Sequence, residues 1–235
     1  MNWYKIYRHI HDGKTNYHLS DQLKKIGREN FWIGYDDEPR NLVEDYLQKL
    51  YKRFFIKPCL GMEYWVYIPP DGHTYTGPHW DSDESVEEKI HPEWVGVVDL
   101  YNSCSGLMLN DMKYGDIKAN KVLWVYQEEA KLTLFRGEYS YMELPNVETN
   151  ISLYFDVWTD RRPSGLGRST HLDWDPPTFK QLIRKQKPIE YEGDVTVHTH
   201  TCGDKDFDYM TFHEPTHKQE ALAYLVSEEK LSTKG

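Results

Sequence analysis

The spacing of apolar residues changes twice along the chain. Residues 40–55, "RNLVEDYLQKLYKRFF", place Leu42, Val43, Tyr46, Leu47, Leu50, Tyr51 and Phe54 at the three-and-four interval of a helix with one buried stripe. A shorter helix is predicted over "SDQLKKIGR", with Ser20 as its N-cap. From Gly61 to Trp158 the pattern becomes short runs of Val, Tyr, Trp, Ile and Leu, broken by "PPDG", "NSCSG", "KYGD" and "RGE". These runs predict strands at about 62–68, 78–82, 94–101, 106–110, 121–127, 131–135, 139–144 and 150–158. Beyond them, "DPPTFKQLIRKQK" offers Asp175 as a cap and Pro176 at the first helical position, predicting a helix of about ten residues. A strand over "DVTVHTHTC" and a last helix around 216–230, burying Leu222, Leu225 and Val226, complete the reading.

Eight short strands at this spacing predict a mainly β fold with flanking helices (α+β), a sandwich or jelly roll. The expected organisation is an N-terminal helical support region over 1–60, a β core over 61–160 and a helix-strand-helix extension over 161–235, packed together as one domain. Composition agrees: 18 Tyr and 8 Trp stand against only four Ala, a balance suited to strands and aromatic packing.

Charge and cysteine content narrow the function. A net charge of -10 argues against a nucleic-acid groove, which needs clustered cations. No stretch is long and apolar enough to predict a membrane span, and the N-terminus "MNWYKIYRHIHDGK" lacks the apolar core of a signal peptide. Three scattered cysteines, Cys59, Cys104 and Cys202, predict a reducing compartment, hence the cytoplasm. There is no Gly-rich phosphate loop, Ser elbow or paired-Cys zinc motif, and Cys104 reads as a packing residue.

The chemistry that remains is carried by "GPHWDSDESVEEK", residues 77–89. If His79-Trp80-Asp81 is extended, His79 and Asp81 point to one face and Trp80 to the other. An imidazole and a carboxylate so placed form two thirds of a facial triad for Fe(II) once a third ligand arrives from a distant strand. The bland alternative is a polar edge strand before a solvated acidic loop. A second cluster lies in the C-terminal strand, where His198, His200 and Cys202 share a face. Same-strand neighbours stand nearly 7 Å apart, so a zinc site there needs help from His213 or His217; the bland reading is one face of a strand packed by Val195 and Val197.

The order "EYWVYIPPDGHTYTGPHWDSDE", "WVGVVDLYNSCSGLMLND", "KANKVLWVYQ" and "LFRGEYSYMELPNVETNISLYFDVW" resembles the double-stranded β-helix core of the Fe(II)/2-oxoglutarate dioxygenase superfamily, including its prolyl-hydroxylase-like branch, over about residues 60–160. The resemblance implies a jelly roll, Fe(II) held by His79 and Asp81, and 2-oxoglutarate bound near Tyr67, Asn102, Tyr141 and Asn150. It also marks two departures. Tyr141-Met142-Glu143-Leu144-Pro145 fills the family's His-x-Val-x-Pro slot, putting Tyr141 where the third ligand belongs. Asn150 stands where the family places an Arg that pairs with the co-substrate's far carboxylate, and an amide cannot replace that fork. A phenolate is a costly ligand at neutral pH, with an ordinary pKa near 10. His171 as a replacement ligand, and Arg136, Lys121 or Lys131 as a replacement anchor, are possible substitutes that more often prove to be ordinary loop or solvated side chains.

Two expectations follow. The first is an oxygenase that uses Fe(II) and 2-oxoglutarate to hydroxylate a small molecule or peptide. The second is a degenerate relative without cofactors, in which the barrel serves as a structural or binding module for protein partners or a homo-oligomeric assembly. A phage virion assembly protein is an example, which makes the virion an alternative location. The aromatic-rich composition suits the second.

Overall fold

The period-two runs pair into two antiparallel sheets in the computed structural model, which describes residues 3–55, 58–68, 78–83, 85–86, 89–102, 106–116, 118–143, 151–173, 183–186, 189–202 and 205–212, the last two by backbone alone. In chain order the elements are β1 (Tyr4–Arg8), α1 (Gly13–Ile26), β2 (Phe31–Gly34), α2 (Leu42–Phe54), β3 (Gly61–Tyr67), β4 (Trp94–Asp99), β5 (Gly106–Lys113), β6 (Lys118–Tyr126), β7 (Lys131–Arg136), β8 (Tyr139–Glu143), β9 (Ser152–Trp158), β10 (Arg184–Lys185), β11 (Ile189–Cys202) and β12 (Lys205–Phe212).

One sheet runs β10-β1-β7-β4-β9-β3-β2 and the other β12-β11-β6-β5-β8. The segment 78–83 extends the second sheet past β8 through an antiparallel bridge between His79 and Tyr141. Counting β3, this segment and β4 to β9 as eight successive strands, the first sheet carries the order 6-3-8-1 and the second 5-4-7-2. That interleaving of two Greek keys is the jelly roll, or double-stranded β-helix.

Among the described residues, apolar side chains pack on both faces of the first sheet. Inner residues of the first sheet, Val95, Val97, Phe135 and Tyr154, meet Leu107, Leu109, Leu123, Val125 and Tyr141 of the second. On the outer face of the first sheet, Met62, Tyr64, Leu132, Leu153, Phe155 and Val157 pack against Leu19 and Leu23 of α1 and Val43, Leu47 and Leu50 of α2. The helices therefore cover one sheet face, as their single apolar stripes require.

Several expectations change. The first helix starts at Asp12, whose carboxylate accepts from the Thr15 N–H at 2.8 Å; Ser20 lies buried in mid-helix and is not a cap. The Asp12 cap precedes the apolar stripe by two turns, which is why the pattern missed it. The region 1–60 also supplies β1, between β10 and β7, and β2 at the opposite edge of the first sheet. The helix expected from Pro176 falls on residues 174–182, which lie outside the described ones; just beyond them Arg184 and Lys185 pair with Arg8 and Tyr7 as β10. The last strand is longer than expected and β12 pairs with it, whereas the expected helix at 216–230 lies outside the described residues. No helix among the described residues is long and apolar enough to cross a membrane.

Candidate functional site

His79 is fixed by its backbone. Its N–H donates to the Tyr141 carbonyl at 2.9 Å and its carbonyl accepts from the Tyr141 N–H at 3.0 Å. Directly opposed residues of such a pair project to the same side of the sheet, and the His79 and Tyr141 rings lie 4.3 Å apart at 51°. The alternation expected for His-Trp-Asp is present: the Trp80 indole turns the other way, donating to the Met112 carbonyl at 3.2 Å and meeting Tyr114 edge-on. Asp81 returns to the side of His79, and the Tyr141 hydroxyl donates to its two oxygens at 3.0 and 3.2 Å. The His91 ring lies 2.8 Å from the Asp81 carbonyl and anchors the backbone there.

The acidic run that follows is not wholly solvated. Asp83 is buried, accepts from Ser85 and forms an ion pair with Arg161 at 2.7 Å, tying the segment after β9 to the end of the site strand.

Three inner-facing carboxyls surround the pair, and the sequence reading did not single them out. Glu63 and Asp156 are cross-strand partners on β3 and β9. Alternation puts Glu63 on the side of Trp65 and Tyr67, Asp156 on the side of Tyr154 and Glu143 on the side of Tyr141. Asp156 is 2% exposed and its Oδ1 has no hydrogen-bond partner. Glu63 accepts from the Asn30 amide at 2.8 Å. Period-two reading of "GMEYWVY" and "SLYFDVW" could have found the first two, since each puts one acid among apolar residues on an inner face.

The electrostatics follow from this crowding. Burial pushes the Asp81 carboxyl up, against the opposing pull of His79 and the Tyr141 hydrogen bond. Asp156 is raised well above the usual carboxylate range by burial, then by Asp81 and Glu63. Burial also raises Glu63 and Glu143. Tyr141 is held well above the ordinary phenol range by burial and then by Asp81 and Glu143, so it stays a neutral donor and not a phenolate.

The other candidates scatter. Tyr67 faces the same interior, 5.6 Å from Tyr154, with its hydroxyl pushed up to about 12 by burial and Glu143. Asn102 does not join it. It follows Asp99 at the far end of β4 from Val95, the neighbour of Asp156, and accepts from the Glu129 N–H at 3.0 Å. There it lines a separate cavity of about 410 Å³ with His9, His11 and Asp12. Asn150 lies outside the described residues.

The substitutes fare no better. His171 is exposed, and its neighbour Leu172 bonds to the Arg40 carbonyl at the start of α2, away from the barrel mouth. Arg136 pairs with Glu93 at 3.1 Å. Lys121 sits opposite Glu192 across β6 and β11. Lys131 is not solvated: it is fully buried between the sheets and held by Asp99 at 2.9 Å. His198 and His200 lie on β11 opposite Tyr209 and Phe207, but their side chains, and His213 and His217 altogether, lie outside the described residues.

The described residues match iron and 2-oxoglutarate poorly. Among the described residues, no three His, Cys, Asp or Glu side chains are grouped to hold a metal ion. A dicarboxylate needs cations, yet the interior near His79 presents four acids, and the buried lysine is already paired.

No family model and no curated protein matches this sequence. Solved structures similar to the chain include a Pseudomonas putida prolyl-4-hydroxylase, at 14% identity and a TM-score of 0.48 over 68% of this chain and 88% of that one. A collagen prolyl hydroxylase of Paramecium Bursaria Chlorella virus-1, in its 2OG complex, is 12% identical at 0.48 over 68% and 97%. A Trichoplax adhaerens prolyl hydroxylase in complex with a hypoxia inducible factor peptide is 12% identical at 0.48 over 68% and 85%. The assignment of the fold rests on the strand order itself.

Proposed function

We propose that this protein is a dioxygenase-like jelly roll that has lost the Fe(II)/2-oxoglutarate reaction and works as a non-catalytic binding or assembly module. The observation that carries this reading is Tyr141. It stands directly across from His79, where the resemblance puts a third metal ligand, and its neutral hydroxyl is spent on Asp81, the second. A metal would have to displace that hydrogen bond, and among the described residues no third His, Cys, Asp or Glu is grouped with the pair to hold it. The carboxyl-rich interior adds a second obstacle, since the co-substrate's two negative charges need cations and this wall presents carboxyls in their place. His79 and Asp81 are, on this reading, kept for the geometry they give the edge of the second sheet. Protein partners or further copies of the chain are the occupants such a module serves, in the cytoplasm or in a virion.

Anaerobic calorimetric titration with Fe(II), followed by succinate detection after adding 2-oxoglutarate and oxygen, tests it with His79→Ala as control. No micromolar iron binding and no succinate are expected. Iron binding that His79→Ala abolishes, together with succinate release, overturns the proposal in favour of a working oxygenase.

A further inference from the structure

The loss of one chemistry leaves an interior whose polarity asks for another. Glu63, Asp81, Glu143 and Asp156 gather around one end of the space between the sheets, and Asp156 keeps an oxygen without a partner at 2% exposure. Such an oxygen costs free energy unless something donates to it. The interior's lysine does not answer, because Lys131 is taken by Asp99. The same wall is aromatic. Trp65 stacks on Tyr154 at 5.6 Å and 28°, and Tyr67 and Tyr141 flank Tyr154 at 5.6 and 6.4 Å. Burial is graded: Tyr141, Tyr154 and Asp156 form a closed floor, while Glu63, Trp65, Tyr67, His79 and Asp81 are half-exposed at its rim.

Carboxylates among the faces of tyrosine and tryptophan rings form the combination that recognises organic cations, the acids by charge-assisted hydrogen bonds and the rings through their negative faces. A metal ion is the weaker candidate, since no three-ligand group is present among the described residues. Resting on the reading that the iron chemistry is lost, we infer that this end of the barrel binds an alkylammonium or guanidinium group, with Asp156 and Glu63 as its main acceptors and Trp65 and Tyr67 as its walls. The group belongs either to a free amine or to a lysine or arginine side chain of a peptide.

The test is calorimetric titration of the whole protein with n-butylammonium, N-acetyl-lysine amide and N-acetyl-arginine amide, and with 2-oxoglutarate as the probe of opposite charge. Asp156→Asn and the more exposed Glu63→Gln are compared by circular dichroism before titration. At least one cation should bind, with affinity reduced about tenfold or more in whichever variants are folded. Binding of butylammonium as strongly as the amino-acid amides supports a free amine, and binding of the amides alone supports a peptide side chain. No cation binding by the folded parent, or binding unchanged in the folded variants, overturns the inference and leaves the proposed function standing. Binding of 2-oxoglutarate with Fe(II) and release of succinate overturns both.

Discussion

Tyr141 and Asp81, 60 residues apart in sequence, are joined by a hydrogen bond from the phenol to the carboxylate at 3.0 Å, beside the backbone bridge that sets Tyr141 against His79. On the proposed reading, these two contacts together close the edge that the resemblance marks for a metal. Tyr141→Phe keeps the ring packing and removes the phenol that donates to this carboxyl. A hydrogen bond to a half-buried carboxyl is worth about 1–2 kcal/mol, so urea denaturation should show a midpoint shift of that order with the denaturant slope unchanged.

The buried carboxyls carry a pH signature of their own. Asp156, Asp81, Glu63 and Glu143 have folded pKa values above their unfolded ones. The native state then binds more protons than the unfolded chain, so their contribution is complete at low pH and is lost as pH rises from the ordinary carboxylate range through the raised values. Asp156→Asn should flatten this fall and make the protein more stable than its parent at neutral pH. Denaturation midpoints between pH 4 and 8 measure it; a steeper fall in the variant contradicts the assignment.

His11 pulls the other way. It is buried, with Nε2 donating to the Asn16 carbonyl oxygen at 3.0 Å and Nδ1 accepting from the Tyr46 hydroxyl at 2.9 Å, a set of partners that suits the neutral ring. Burial lowers its pKa to about 4. The stability it supplies is complete above its unfolded pKa near 6.5 and is lost as pH falls toward 4, by roughly 3 kcal/mol. A His11→Gln variant should lack this dependence, and titration of the ring by nuclear magnetic resonance should find it neutral at pH 6.

The Asp99–Lys131 pair spans neighbouring strands β4 and β7 with both side chains buried. Removing one partner strands a charge inside, so Lys131→Met or Asp99→Ala should each cost about 3–5 kcal/mol. The double replacement Asp99→Leu with Lys131→Met should recover most of that loss, which a double-mutant cycle reads directly.

How much of this was legible in the sequence depends on where each signal lives. Strand periodicity located β3 to β9 within a few residues, because each is a short run of apolar residues closed by turn residues, with one face in a core in the second sheet and both faces in the first. The stripe of α2 was equally plain, with Asn41 capping it by accepting from the Glu44 N–H. β1 and β2 were missed because they are short and their pairing is decided by β7 and β3, outside any local window. At the site, His79 and Asp81 were visible as a dipeptide spacing, and Tyr141 only through the register of the resemblance; the structure sets it across from His79. That Tyr141 donates to Asp81, that Asp99 holds Lys131, and that Glu63 faces Asp156 are facts of tertiary pairing. No local pattern carries them.

The most direct measurement is the Fe(II) affinity of Tyr141→His against the parent, anaerobically, with His79→Ala added to each. If Tyr141 is what closes the site, the parent should bind no iron in the micromolar range. The single change should then create binding that His79→Ala removes. Tight, His79-dependent binding by the parent, or a folded Tyr141→His that gains nothing, would contradict the account.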